Sequence, residues 1–93
     1  MPRFKVAHIY EQGVNLIVIP LDHHFGNKPE SEQLSVVEEL QLHSNHAGLR
    51  GTVVPVWNDG GRMQFRAPHR MHPFFETLHP DVIEANLNKE IFW

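Results

Sequence analysis

The chain contains no cysteine among its 93 residues. That absence excludes disulfide frameworks, CxxC redox motifs, zinc sites built from thiolates and cysteine nucleophiles. Because small secreted domains usually rely on disulfides, we expect an intracellular, cytoplasmic protein. The first residues contain no apolar segment followed by a small-residue cleavage site, so no signal peptide is expected.

Long apolar runs and a strong excess of one charge are also missing. The longest apolar run, 14–21, includes Asn15 and Pro20 and is far shorter than the roughly 20 residues that span a bilayer. We therefore expect a soluble protein without a membrane partner. Lys and Arg total 8 while Asp and Glu total 11, for a net charge of −3 with neutral histidine. This balance argues against a protein dedicated to binding polyanions such as nucleic acids.

Alternating and apolar stretches, separated by turn residues, predict two β-hairpins that are each followed by a helix. The predicted elements are strands over 3–11, 14–20, 52–57 and 62–67, and helices over 31–48 and from Pro80 to Ile91. The predicted fold is a two-layer α+β domain of order ββαββα. It has a four-stranded, mainly antiparallel sheet with two helices on one face.

The ββα order occurs twice within this single predicted domain, once in 1–49 and once in 50–93. Duplication of one ββα unit would produce such an order. The alternative is that ββαββα is simply a common way to build a two-layer domain. The two halves share few residues, so both explanations stay open.

Eight histidines are the most unusual feature of the composition. Glu39, His43 and His46 are spaced by four and three residues, which places them on one side of a helix. Because a carboxylate and imidazoles together bind zinc or another divalent metal, we predict a metal site at these three residues. A fourth ligand would come from His23 or His24. The alternative is that Glu39 and His43 form an exposed pair on a solvated helix face.

A second group of histidines, His69, His72 and His79, lies in the predicted loop before the last helix. These residues offer the same ligand chemistry without a defined spacing. The alternative is that they cap turns.

Positive charge concentrates in residues 50–72, which contain four arginines and a single acid, Asp59. Guanidinium groups beside an aromatic ring suit a small anion or a single-stranded nucleic acid. The residues predicted to form such a site are Trp57, Arg62, Arg66 and Arg70. The alternative is that Arg62 and Arg66 belong to the solvated face of an edge strand. The acidic helices would repel a long polyanion, so a nucleic-acid partner is the weaker expectation.

Large apolar residues also occur where a loop or a strand end should be exposed. They are Phe74, Phe75, Phe92 and Trp93. Two helices on one sheet face would leave the other face open, and one register gives that face the apolar residues Ile17, Ile19, Val54 and Val56. Burying such a face against a second copy predicts a homodimer that uses the four aromatic residues as interface. Alternatively, these aromatic residues fold back to close the core.

Motifs for nucleophilic catalysis or phosphate binding are not found. The sequence has no GxxxxGK[ST] and no GxGxxG, and Ser31, Ser35 and Ser44 fall on the predicted first helix. We therefore expect a small binding or regulatory module, acting as a homodimer or with a protein partner, rather than an enzyme. The first alternative is a divalent-metal-binding protein, with a metal-dependent hydrolase or nuclease as its enzymatic form. The second is an anion or single-stranded nucleic-acid binder.

Overall fold

Five strands form one mixed sheet in the computed structural model, which describes residues 3–93. The strands are β1 (Arg3–Glu11), β2 (Val14–Leu21), β3 (Thr52–Asp59), β4 (Arg62–Phe65) and β5 (Lys89–Phe92). The helices are α1 (Glu30–His46), α2 (His72–Thr77) and α3 (Pro80–Ala85). Two short 3-10 helices precede α1 and α2, the first over His23–Asn27 and the second over His69–Met71.

The sheet has the strand order β4-β3-β2-β1-β5, and one of its four pairings is parallel. Both predicted hairpins, β1–β2 and β3–β4, are antiparallel, and β5 pairs antiparallel with β1. Between the hairpins the chain crosses over through α1, so β2 and β3 run in the same direction. Their register extends from Leu16 opposite Thr52 to Leu21 opposite Trp57. The carboxyl ends of these two strands therefore lie at the same edge of the sheet.

The α+β class predicted from the sequence is confirmed, but the number of elements and their arrangement differ from the prediction. The sheet has five strands rather than four, and three helices cover it rather than two. The predicted last helix is also too long, because α3 ends at Ala85 and Ile91 belongs to β5. The second half of the chain thus contains two helices and a strand where the first half has α1.

The helices lie on both faces of the sheet, which corrects the two-layer prediction. Leu40 of α1 packs in one core, and Phe75 of α2 and Ile83 of α3 pack in another. Side chains of a strand alternate between the two faces. The α1 core buries strand residues Val6, Ile17, Ile19, Val53 and Ile91, and the opposite core buries Ala7, Leu16, Val18, Val54 and Val56.

The open apolar face expected from the sequence does not exist in the described residues 3–93. Ile17 and Ile19 are buried in the α1 core, whereas Val54 and Val56 are buried in the opposite core. The reason is the register, because Ile17 pairs with Val53 and therefore shares a face with it rather than with Val54. Residues 3–93 therefore offer no open apolar sheet face for a second copy to cover. The homodimer itself stays a prediction. A light-scattering mass of two chains would support it, and a mass of one chain would contradict it.

Helix α1 begins and ends for local reasons that the sequence only partly indicates. Its N-cap is Pro29, which makes no side-chain cap bond, and Asn27 ends the first 3-10 helix. At the other end Gly48 has a φ of 86°, the left-handed conformation that glycine adopts without strain. The Leu49 N–H donates to Ser44 O and the Gly48 N–H to Asn45 O, both at 3.0 Å. This pair of bonds is a Schellman motif in which Gly48 is the first residue after the C-cap, Ala47.

Two side-chain amides take the place of missing strand partners at the sheet. Gln41 accepts from the Val53 N–H at 2.9 Å and donates to Gly51 O at 2.9 Å. Asn88 accepts from the His8 N–H at 2.9 Å and donates to His8 O at 3.1 Å. Unpaired strand groups would otherwise offer a template for another chain. The amides thus satisfy backbone groups of β3 and β1 next to the points where β4 and β5 stop pairing.

Ser44 provides a stability test of the core under α1. The residue is fully buried, and its Oγ has no hydrogen-bond partner among residues 3–93. An unsatisfied buried hydroxyl costs about 1–3 kcal/mol, and alanine is the better helix former. We expect Ser44→Ala to raise the free energy of unfolding by about 1 kcal/mol in urea denaturation. Ser35→Ala, on the exposed side of α1, is the control, and an unstable Ser44→Ala would contradict this account.

Within the described residues, no helix has both the length and the apolar character needed to cross a membrane.

Candidate metal centre

The first 3-10 helix begins directly after the carboxyl end of β2, at the edge where the parallel pair ends. Asp22 is its N-cap, with extended backbone, and the Asp22 Oδ1 accepts from the His24 N–H at 2.9 Å. This is the usual behaviour of an aspartate N-cap, whose carboxylate satisfies an otherwise unpaired N–H group. The cap holds the carboxylate beside the next two residues, His23 and His24.

The side chains of Asp22, His23 and His24 converge on one point. Asp22 Oδ1 lies 2.6 Å from His24 Nδ1 and 3.3 Å from His23 Nδ1, and the two ring centroids are 4.1 Å apart. Across residues 3–93, this is the one group of three His, Cys, Asp or Glu residues whose ligand atoms all lie within 4.8 Å of one another. All three side chains are exposed, by 63% to 73%. An ion from solution can therefore reach them.

Electrostatics keep the carboxylate of this group ionised. The hydrogen bond from the His24 backbone N–H lowers the pKa of Asp22 below its ordinary value, and the His24 and His23 rings lower it further. An aspartate with its ordinary pKa is already anionic at neutral pH, and the lowered pKa extends this ionised form to more acidic solution.

The metal site predicted on α1 is not assembled. Glu39, His43 and His46 are not among the ligand groups that converge within 4.8 Å in the described chain. Instead, Trp93 stacks on the His43 ring, with centroids 4.0 Å apart and planes 5° apart, and its Nε1 donates to Glu39 Oε1 at 3.2 Å. The His43 and His46 rings are 6.4 Å apart and nearly perpendicular. Trp93 thus contacts both Glu39 and His43, the two residues of α1 that were expected to bind the metal together with His46.

The remaining histidines are engaged with the polypeptide backbone or with neighbouring rings. His8 Nε2 is 2.7 Å from Arg50 O, and His72 Nε2 is 3.0 Å from Ala67 O. Since a carbonyl oxygen only accepts, each of these nitrogens donates a hydrogen. His79 Nδ1 accepts from the Asp81 N–H at 3.2 Å and so caps α3. His69 lies beside His72, with ring centroids 5.2 Å apart.

Two of the four residues predicted to bind an anion, Arg66 and Trp57, contact other parts of the fold. Arg66 Nη1 donates to Gln33 Oε1 at 3.0 Å, and its Nη2 lies 3.5 Å from Glu30 Oε1. This arginine therefore joins the end of β4 to the start of α1. Trp57 packs edge-on against Phe25, with centroids 4.9 Å apart. Arg62 lies exposed on β4, and Arg70 lies exposed in the second 3-10 helix.

The four predicted interface residues have different environments. Phe75 is 1% exposed and belongs to the core under α2. Phe74 is half-buried against the same core. Trp93 is held between His43 and Phe4, whose ring centroid is 5.6 Å away. Phe92 alone of the four is largely exposed, at 58%.

Sequence reasoning named His23 and His24 but missed Asp22 and assigned the two histidines to the α1 site. The signal for Asp22 was its position directly after an apolar strand and two residues before His24, the spacing of a capping carboxylate.

Comparison of the chain with protein-family models, with curated proteins and with solved structures found no match.

Proposed function

We propose that this chain is a small binding module whose ligand is a divalent transition-metal ion, held by Asp22, His23 and His24. The observation that carries the proposal is the convergence of two imidazole nitrogens and one carboxylate oxygen within 4.8 Å. The role proposed is binding rather than catalysis.

The donor set favours a particular class of ion. Imidazole suits zinc, copper, nickel and cobalt, whereas calcium and magnesium prefer sites built from oxygen. Three protein ligands leave a coordination position for water or another group, as in many zinc sites. Zn²⁺ is therefore the first ion to test, and Co²⁺ is its spectroscopic substitute.

The observed distances are close to those that an ion needs. Two ligands of a tetrahedral zinc ion with bonds of about 2.0–2.1 Å lie roughly 3.3 Å apart. The distance from Asp22 Oδ1 to His23 Nδ1 is 3.3 Å, and the distance to His24 Nδ1 is 2.6 Å. The second distance is too short for two ligands of one ion, so that contact must open, and the His24 side chain that must turn is 73% exposed.

The direct test is calorimetric titration of untagged protein with Zn²⁺. We expect the wild-type chain to bind one ion and the double variant His23→Ala/His24→Ala to lose that binding. These substitutions leave the Asp22 cap in place, because the cap uses the backbone N–H of His24. Loss of binding would therefore report on the ligands rather than on local unfolding.

His46→Ala is the matched control, because it removes another exposed histidine, one that lies on α1. We expect this variant to bind Zn²⁺ as the wild type does. Absence of Zn²⁺ binding by the wild type would overturn the proposal. The proposal would also be overturned if the His23→Ala/His24→Ala double variant still bound Zn²⁺ and the His46→Ala variant did not.

A further inference from the structure

A second loop reaches the same edge of the sheet as the Asp22–His24 segment. The last register pair of the parallel strands is Leu21 opposite Trp57. Two residues beyond that pair, His23 follows β2, and Asp59 ends β3. Because parallel strands deliver their carboxyl ends to one edge, the register brings the β3–β4 turn alongside the first 3-10 helix.

A cleft of about 240 Å³ separates the two segments, and its lining is polar. It is lined by His23, Asn27, Asn58, Asp59 and Gly60. His23 and Asp59 thus border the same space from opposite loops. Asp59 makes no ion pair with any residue in the range 3–93, so its carboxylate is not neutralised by a cation of the chain.

Open space surrounds the two glycines that follow Asp59 in the turn. Gly60 and Gly61 have φ values of 61° and 90°, and a Cβ added at either would meet nothing within 4 Å. The one side-chain bond at the turn joins the Gly61 N–H to Asn58 Oδ1 at 2.9 Å, which leaves Asp59 outside it. Asp59 is not among the side chains that converge within 4.8 Å, so its carboxylate must turn across the cleft toward His23 while its backbone stays paired with Arg62.

We infer that Asp59 is a fourth ligand of the divalent ion bound by Asp22, His23 and His24. This inference rests on the proposed function. It makes the donor set two imidazoles and two carboxylates, which neutralises a doubly charged ion. Because the ligands come from both sides of the cleft, the bound ion joins the first 3-10 helix to the β3–β4 hairpin. Metal binding then restrains the hairpin as well as filling a site.

The test compares Zn²⁺ affinity in untagged Asp59→Asn and Asp81→Asn variants by calorimetry. Asp81 is 90% exposed and also lies beside a histidine, at 3.5 Å from His79, but it belongs to α3. Both substitutions remove one negative charge, so a general charge effect would appear in both. We expect Asp59→Asn to weaken Zn²⁺ binding roughly tenfold or more and Asp81→Asn to leave it unchanged. Asp59→Glu, which keeps the carboxylate, is expected to retain most of the affinity.

Hydrogen exchange supplies a readout that a change in net charge would not move. We expect Zn²⁺ to slow exchange of the amides of residues 58–61 in the wild type but not in Asp59→Asn. An Asp59→Asn variant that binds Zn²⁺ with wild-type affinity, and in which Zn²⁺ still slows exchange at residues 58–61, would overturn the fourth ligand and leave the three-residue site standing. A wild-type chain that binds no Zn²⁺ would overturn both.

Discussion

Gly51→Ala is expected to destabilise the fold by about 3 kcal/mol, because the new Cβ would collide with backbone. A Cβ at Gly51 would lie 2.4 Å from Asn15 O and 2.6 Å from Asn15 C, both backbone atoms that cannot turn aside. The φ of 126° is also one that residues with a side chain rarely adopt. The substitution therefore adds a steric clash to backbone strain where the chain enters β3.

Gly13→Ala is the control that adds backbone strain without a steric clash. Gly13 also has a positive φ, 78°, but a Cβ there would meet nothing within 4 Å. We expect Gly13→Ala to cost only the left-handed backbone penalty, about 1–2 kcal/mol. Urea denaturation of both variants measures the difference, which reports the close approach of Gly51 to Asn15 together with the greater backbone strain at a φ of 126°. Equal destabilisation by the two substitutions would show that this approach is not what requires glycine at position 51.

Phe75→Ala is expected to cost about 3–5 kcal/mol, the range for removing a buried aromatic side chain. Phe75 is 1% exposed and lies next to Phe65 and Phe74, with ring centroids 5.4 Å and 5.1 Å away. It is one of the largest fully buried side chains and belongs to the core between the sheet and α2. Its removal leaves a cavity that these short helices cannot fill.

Phe92→Ala is the control, because Phe92 is 58% exposed and its visible partner is Arg3, 5.5 Å above the ring. We expect this substitution to cost less than about 1 kcal/mol. The loss in Phe75→Ala should not depend on protein concentration, since the core lies within one chain. A loss that disappears at high concentration would instead support the interface role that the sequence suggested for Phe75.

The elements that could be predicted are those whose signals are local. The two hairpins follow from alternating or apolar strands joined by glycine-containing turns, and both occur where expected. Helix α1 follows from its apolar face and from Gly48, which ends it. In each case the chain within one element carries enough information to specify it.

Elements and contacts that depend on distant residues could not be predicted. The spacing of Ile83, Leu87 and Ile91 suits one helix, yet β5 forms because Ile91 pairs with Phe4, far away in sequence. Helix α2 was missed because His72-Pro73 reads as irregular, although proline is favoured in a first helical turn. The faces of the helices follow from the parallel β2–β3 crossover, which no local pattern indicates.

The candidate site shows the same division. The adjacent pair His23 and His24 was visible in the sequence as a source of ligands. Glu39, His43 and His46 have the spacing of ligands on one side of a helix. The stacking of Trp93 on His43 joins residues 50 positions apart, so this spacing could not predict it. Asp59 enters the account only through the register of β2 and β3, which brings its turn beside His23.

The most direct test of the metal site is to observe the imidazole nitrogens themselves. Long-range proton–nitrogen NMR spectra of untagged protein, recorded during titration with Zn²⁺, report which ring nitrogens become ligands. We predict that the Nδ1 resonances of His23 and His24 shift together, while those of His43 and His46 do not change. Shifts confined to His43 and His46, or no shift at any histidine, would contradict the account.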